Sequence, residues 1–378
     1  MNYIEICKAK LQQYYNNNKN KKSIISKIIL AILLIVGVIF VYNDYFLYDY
    51  VDIAKIISVK DSYTQTKENG EKYYKQDIEA RIMNGKYKGE NITLSNTFTT
   101  SRIYDDRYRE GDSVFIDLSN STDTQLVGTI KSMKRDTYVA ILFVLFAIIA
   151  VFVASRKGLF AIITLCVNIC IFSYGLNEYI KGHNILRISI ILVIFYTMFS
   201  LMFISGINKK TIAAIISTLI SVAVTMMIVK IVLHFTEVDY AFMEYILSPN
   251  DLPEIFLSEI LLGGLGAIMD VSISMSTAMD ELVTKENNIS YEALRTSGKE
   301  IGYDIMGTMV NILLFTFFCG SIPIMILKMK NDMSLLTILS LHMDFELYRF
   351  LIGGIGIILS IPIAQYVSIF IMKKGSKK

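Results

Sequence analysis

The sequence predicts a polytopic α-helical membrane protein of about eight transmembrane helices, with a small extracytoplasmic β module between helices one and two. Three observations carry this. The chain is 53% hydrophobic and only 19% charged, with mean hydropathy +0.47, which is too apolar for a water-soluble domain of its length. Apolar runs of ~20 residues, the length that crosses a bilayer as a helix, recur along it. One long polar stretch, residues 43–136, interrupts them and reads as short strands.

Residues 1–23 form a basic tail ending in NKNKK, and residues 24–42 form the first span. That apolar run is too long for a secretory leader, and VYNDYFLYDY after it holds no small-residue cleavage site, so it reads as an uncleaved signal anchor. In residues 43–136, VDIAKIISVK, QDIEARIM, ENITLSNTF, DSVFIDLS and QLVGTIKSMK alternate or are β-rich. ENGE, NGKYKGE, REGD and SNSTD separate them as turns, so a small barrel or sandwich is expected. No nucleophile motif stands in it, and a binding or assembly role fits better than an enzyme.

Residues 137–372 read as a seven-helix membrane domain, and 373–378 as a basic tail. Its spans run Tyr138–Ala154, Leu159–Tyr179, Ile188–Ile207, Thr211–Leu233, Ile255–Met279, Ile305–Leu327 and Phe350–Met372. Residues 236–254 and 334–345 are too short to span and suit helices lying in the interface. NKNKK, SRKG, NKK, the cluster Lys285, Arg295 and Lys299, and KKGSKK all fall on one side if there are eight spans. The alternate loops are poorer in lysine and arginine, so both termini are expected in the cytoplasm of a bacterial cell, with the protein in its cytoplasmic membrane.

Several function classes recede. A net charge of +3 leaves no nucleic-acid footprint. No GxxxxGKS/T run occurs, which argues against ATP-driven pumping by this chain alone. His183, His234 and His342 are scattered at span ends, and Cys166 and Cys170 share a helix face with no third ligand, so no metal site and no cofactor is expected. Those two cysteines and Cys319 read as small packing residues in apolar runs.

The informative stretch is GGLGAIMDVSISMSTAMDE, residues 263–281. At helical steps Gly263, Gly266, Asp270, Ser274, Thr277 and Glu281 share one face, opposite Ile268, Val271 and Met275. A lipid-facing helix has no use for such a stripe, which is expected to face protein or a water-filled cavity. The next span has a matching stripe of Glu300, Asp304, Thr308 and Asn311, with Gly307 beside it. Asp270 and Asn311 fall at similar depth, ~12 and ~9 Å from the inner edge, so a pair between them is expected. Two roles compete for Asp270: helix glue bonded to Asn311, Ser274 or backbone, and an ion- or proton-handling group lined by Ser274, Thr277, Asp304, Thr308 and Asn311. Gly263, Gly264 and Gly266 fit either close packing or a broken helix. Arg349, Gly353, Gly356 and Ser360 form a small-residue stripe on the last span, with Arg349 snorkelling at its outer end. Ser290 is expected to cap a helix starting at Tyr291, with Ile289 and Leu294 as a hydrophobic staple.

LLGGLGAIMDVSISMSTAMDEL, SGKEIGYDIMGTMVNILLF and GSIPIMIL resemble the YibE/F-like family of bacterial multipass membrane proteins, from Tyr138 onward. The resemblance implies that Asp270, Gly307, Thr308, Met309 and Asn311 match recurring positions; Ile312 stands where Thr is frequent. It supplies no substrate. A looser pattern, a glycine-rich helix with a central Asp followed by a helix with an Asn, is similar to spans of SecD/SecF-type proton-driven permeases. Expected partners are the lipid bilayer, protons or another small ion, and an envelope protein at the outer module. The expected function is a transporter or ion-coupled membrane protein. The alternative is a non-enzymatic envelope scaffold whose outer module binds a partner. An intramembrane aspartyl protease fits poorly, because GLGA stands where GLGD is needed.

Overall fold

The computed structural model describes residues 25, 27–42, 48, 51–67, 70–102, 105–118, 126–236, 240, 252–286 and 289–374. The chain divides into two compact units, residues 1–159 and 160–378.

In the first unit, β1 (Asp52–Thr66), β2 (Lys72–Ile82), β3 (Asn91–Thr99), β4 (Ser113–Leu118) and β5 (Leu126–Met133) close into a barrel ordered β1-β2-β3-β5-β4. All neighbours are antiparallel except β3 and β5, the connectivity of a five-stranded OB-type barrel. Strict alternation sets the faces. Gln76, Ile78, Ala80 and Ile82 of β2 point inward, with Ile92, Leu94 and Phe98 of β3, while Lys75, Asp77, Glu79 and Arg81 point out. The barrel core is Ala54, Ile56, Ile78, Ala80, Ile82, Ile92, Leu94, Tyr108, Val114 and Ile116.

One buried polar group lies in that core. Gln76 Nε2 donates to Asp61 Oδ1 (2.8 Å) and to the Tyr108 carbonyl (3.0 Å). Its Oε1 accepts from the Tyr108 N–H (3.0 Å) and from Asn96 Nδ2 (2.9 Å). Gln76 thereby fastens the β3–β4 connection across the barrel.

Helix α1 (Lys27–Tyr42) is apolar and precedes the barrel; α2 (Asp136–Ile180) follows it. Within α2 the helix breaks at Ser155 (φ 52°, ψ −123°). Three residues on, a Cβ at Gly158 would overlap the Ala150 carbonyl, a close approach that only glycine permits. An unbroken helix would hold these two residues ~12 Å apart. The SRKG stretch is therefore a turn between two helical arms.

The second unit continues with α3 (Ile185–Ser205), α4 (Lys209–Phe235), α5 (Leu252–Gly263), α6 (Leu265–Lys285), α7 (Tyr291–Lys330), the short α8 (Leu335–Leu341) and α9 (Asp344–Lys374). Helices α4, α6 and α9 pack on one another and form its centre; α5 packs chiefly on α3, and α7 on α9 and α6. Among the described residues, six helical segments are long and apolar enough to cross a membrane: α2, α3, α4, α5 with α6, α7 and α9.

Local signals act as expected around α7. Asn184 and Asn208 cap α3 and α4, and Ser290 Oγ accepts from the Ala293 N–H (3.1 Å). Ile289 and Leu294 are buried in one cluster with Met279, Ile369 and Met372. The span expected from Ile305 is the C-terminal part of a single 40-residue helix from Tyr291. The expected interfacial helix over 334–345 is α8 with the start of α9, whereas most of 236–254 lies outside the described residues, as do Cys7, the SNSTD turn and most of both terminal tails.

Candidate functional site

At the glycines expected either to pack closely or to break the helix, the interruption is a single residue. Helix α5 ends at Gly263 and α6 starts at Leu265, with Gly264 between them in a near-helical conformation (φ −82°, ψ −15°). The Gly264 N–H donates to the Ile260 carbonyl at 3.4 Å, and the Ile268 N–H to the Gly264 carbonyl at 3.1 Å. Gly264 lies against Gly353 of α9, where a Cβ would be 3.6 Å from its Cα. Close packing and interruption therefore coincide at one residue.

The polar stripe exists, and it lies on the outside of this chain, turned away from its neighbouring helices α4 and α9. Ile268, Val271, Met275 and Met279 are buried against α4 and α9, whereas Gly263, Gly266, Asp270, Ser274 and Glu281 are exposed on the surface of this chain and Thr277 is half-buried. The physical reason is volume. The bulky face fills the space between α4 and α9, and a helix at the rim of a bundle buries only one side. On α7, Leu294, Gly298, Gly302 and Leu313 face the bundle, while Glu300, Asp304, Gly307, Thr308 and Asn311 are exposed.

The expected Asp270–Asn311 pair does not form. Asn311 Nδ2 donates to the Gly307 carbonyl of its own helix at 2.9 Å, and Thr308 Oγ1 to the Ile305 carbonyl at 2.9 Å. Among the described residues, the Asp270 carboxylate has no hydrogen-bond or ion-pair partner. The two stripes do share a depth. A Cβ at Gly298 would lie 3.0 Å from Met279 Sδ, and one at Gly263 would lie 3.2 Å from Phe317 Cζ. Interpolating between these contacts at ~1.5 Å per residue puts Asp270 level with Thr308, within about one turn (~5 Å) of Asn311, and Ser274 level with Asp304.

The glycines divide by role. At Gly353 a Cβ would press on Leu313 Cδ2 (2.8 Å), and at Gly356 on Ile268 Cδ1 (2.7 Å) and Thr225 Oγ1 (3.2 Å), so both permit helix contact. Gly266 and Gly307, expected as packing positions, have nothing within 4 Å of a Cβ and lie open beside the stripe.

Comparison with known proteins fixes the family. Residues 142–374 match the family model of YibE/F-like protein, and residues 46–133 match that of the YibE/F family N-terminal domain. The chain belongs to the YibE/F-like family. No curated protein and no solved structure matches it. The two matches take in the barrel and the helices that carry the stripes; the SecD/SecF-type pattern gains no support from them.

In this YibE/F-like chain, two features escaped the sequence reading. The first is a seam of buried hydroxyls among α4, α6 and α9: Ser217, Thr218, Ser221 and Thr225, with Ser272 and Ser276, and with Ser360 and Ser368. Ser217, Ser221 and Thr225 each donate to the carbonyl four residues back (2.6, 2.7 and 2.8 Å), and Ser368 donates to Ser276 at 3.0 Å. The signal was present as Ala213, Ser217, Ser221 and Thr225 at steps of four, the small-residue spacing of tightly packed membrane helices. The second is an ion-pair cluster. The Arg349 guanidinium donates to Glu259 of α5 (2.7 Å) and to Glu346 (2.8 Å), which ties α5 to α9. Cys166, Cys170 and Cys319 are free and exposed on this chain, so none is a packing residue within it. A cavity of about 150 Å³ between α4, α5 and α9 is lined by Val229, Leu233, Phe256, Tyr348, Ile352 and their neighbours, with no acidic or basic side chain.

Proposed function

We propose that this YibE/F-like protein is a non-enzymatic, multi-pass protein of a bacterial cytoplasmic membrane that moves protons or another small ion, with Asp270 as the titrating group. In this reading α1, the two arms of α2, α3, α4, α5 with α6, α7 and α9 supply eight spans, and both termini are cytoplasmic. Ser274, Thr277, Asp304, Thr308 and Asn311 line the route. One observation supports the reading: a carboxylate on a helix apolar enough to span a bilayer finds no partner among the described residues of its own chain. Ionisable groups in such segments are costly to keep and mark ion or proton pathways.

The test is proton and alkali-cation flux in liposomes. Asp270→Asn is expected to abolish flux while the protein inserts and melts as the wild type does; full flux from Asp270→Asn sinks the proposal. A second reading, an envelope scaffold, is favoured by the closed barrel, a folded module whose outer face on β2 and β3 is wholly polar. It expects deletion of residues 50–133 to remove the cellular phenotype while Asp270→Asn leaves it intact.

A further inference from the structure

The exposed stripes on α6 and α7 pose a problem that lipid cannot solve. Hydrocarbon offers no hydrogen bond to a carboxylate, an amide or a hydroxyl. Helix α2 shows the contrast. Its first arm, residues 138–154, is also largely uncovered, but its exposed side chains are Val139, Leu142, Phe146, Ile149, Val153 and similar residues, which lipid satisfies. Helix α7 has 6% of its most apolar window buried within the chain, against 50% for α9, yet it carries Asp304, Gly307, Thr308 and Asn311 on the uncovered side.

We propose that α6 and α7 form the interface of a two-fold dimer of this chain. The occupant is a second copy because the face is its own complement. A two-fold axis along the membrane normal preserves depth, and an isologous contact lays α6 of one copy against α7 of the other, twice. At one depth stand Asp270 on α6 and Thr308 and Asn311 on α7; at the next inward stand Ser274 on α6 and Asp304 on α7. Each carboxylate therefore meets a hydroxyl or amide donor of the second copy at its own height. Asn311 has one amide hydrogen left after its bond to Gly307, and Ser274 has its hydroxyl hydrogen free. Gly266 and Gly307, open to the surface at nearly the same level, let the two backbones approach. A different protein would have to reproduce this pattern of donors and acceptors at both depths.

The inference stands apart from transport, since assembly and flux are read separately and either can fail alone. The test uses the full chain with Cys7, Cys166, Cys170 and Cys319 replaced by alanine. Two tagged forms, Ser274→Cys and Asp304→Cys, are co-expressed and oxidised in membranes. A disulfide-linked heterodimer is expected, and none when Phe172→Cys of α2 replaces either form. In nanodiscs extracted directly from the membrane, wild type is expected to have the mass of two chains. Asp270→Leu with Asn311→Leu should weaken the dimer at least about tenfold. The exchange Asp270→Asn with Asn311→Asp, which keeps the complement, should restore it. A monomeric wild type in those nanodiscs overturns the proposal. So does a dimer that cross-links through α2 and not through α6 and α7.

Discussion

Replacing Gln76 with leucine tests how the barrel is held shut. The side chain is fully buried and takes part in four hydrogen bonds, two of them to the backbone of Tyr108. Leucine matches its volume closely and removes all four. Asn96 keeps its bond to the Asp106 carbonyl (2.7 Å), and Asp61 keeps Arg107 (2.7 Å), so these partners stay satisfied. The N–H and carbonyl of Tyr108 are left buried and unpaired, at ~1–3 kcal/mol each. The added apolar burial of leucine returns ~1 kcal/mol. The net destabilisation is then ~1–5 kcal/mol, and the melting temperature of a domain of this size falls by ~4–40 °C. Hydrogen exchange on the intact protein reads the site itself: protection of the peptide around Tyr108 should drop ~5- to ~5,000-fold. Exchange within a factor of two of wild type would refute the claim that Gln76 fastens this connection.

Arg349→Met leaves Glu259 and Glu346 without their cation; because Glu259 is partly exposed, the cost is ~1–3 kcal/mol, below that of a fully buried pair. Melting in nanodiscs should show that loss, and the double variant with Glu259→Gln should recover part of it; a double variant no more stable than Arg349→Met would count against the bridge. Burial raises the pKa of Tyr108 above the usual tyrosine value of 10.0, which favours the neutral phenol in the folded barrel. Its contribution is therefore complete below pH 10.0 and is lost as pH rises from there through the folded value, so the barrel should weaken above pH 10.0. Tyr108→Phe should flatten that part of the stability profile, and an unchanged alkaline slope would assign it to other groups.

Elements with a local cause were legible in the sequence. Ser290, Ile289 and Leu294 announced the start of α7, and the glycines announced the break before α6, because caps and glycine act within a few residues. Alternation revealed the strands, but not that β5 pairs in parallel with β3 to close a barrel, since closure is set by pairings far apart in sequence. Helical spacing grouped Asp270 with Ser274, and Asp304 with Thr308 and Asn311. It could not say which face is turned to the bundle. In water the apolar face must go inside; in lipid that rule is lost, because hydrocarbon is as apolar as leucine and either face can be outward. The orientation of α6 was decided by the fit of Ile268, Val271 and Met275 against α4 and α9, which spacing does not encode.

What sets Asp270 apart is the valence of its side chain. The hydroxyls of Ser217, Ser221, Thr225 and Thr316 donate to a carbonyl four residues back in their own helices, and the Asn311 amide does the same at Gly307. Each hydroxyl can thus lie in an apolar setting without help from another element. An ionised carboxylate has acceptors only, and the N–H groups of a helix interior are already committed to the backbone ladder. Asp270 can be satisfied in three ways: by a proton of its own, by water, or by donors brought from outside the chain. A proton makes it a titrating group, water makes it the wall of a pathway, and outside donors make it an interface. Asp270→Asn separates these outcomes. It supplies donors of its own yet carries no titratable proton, so it leaves an interface largely intact and stops proton exchange. Loss of flux with dimer retained would assign both roles to one residue; loss of both together would make the interface the primary one.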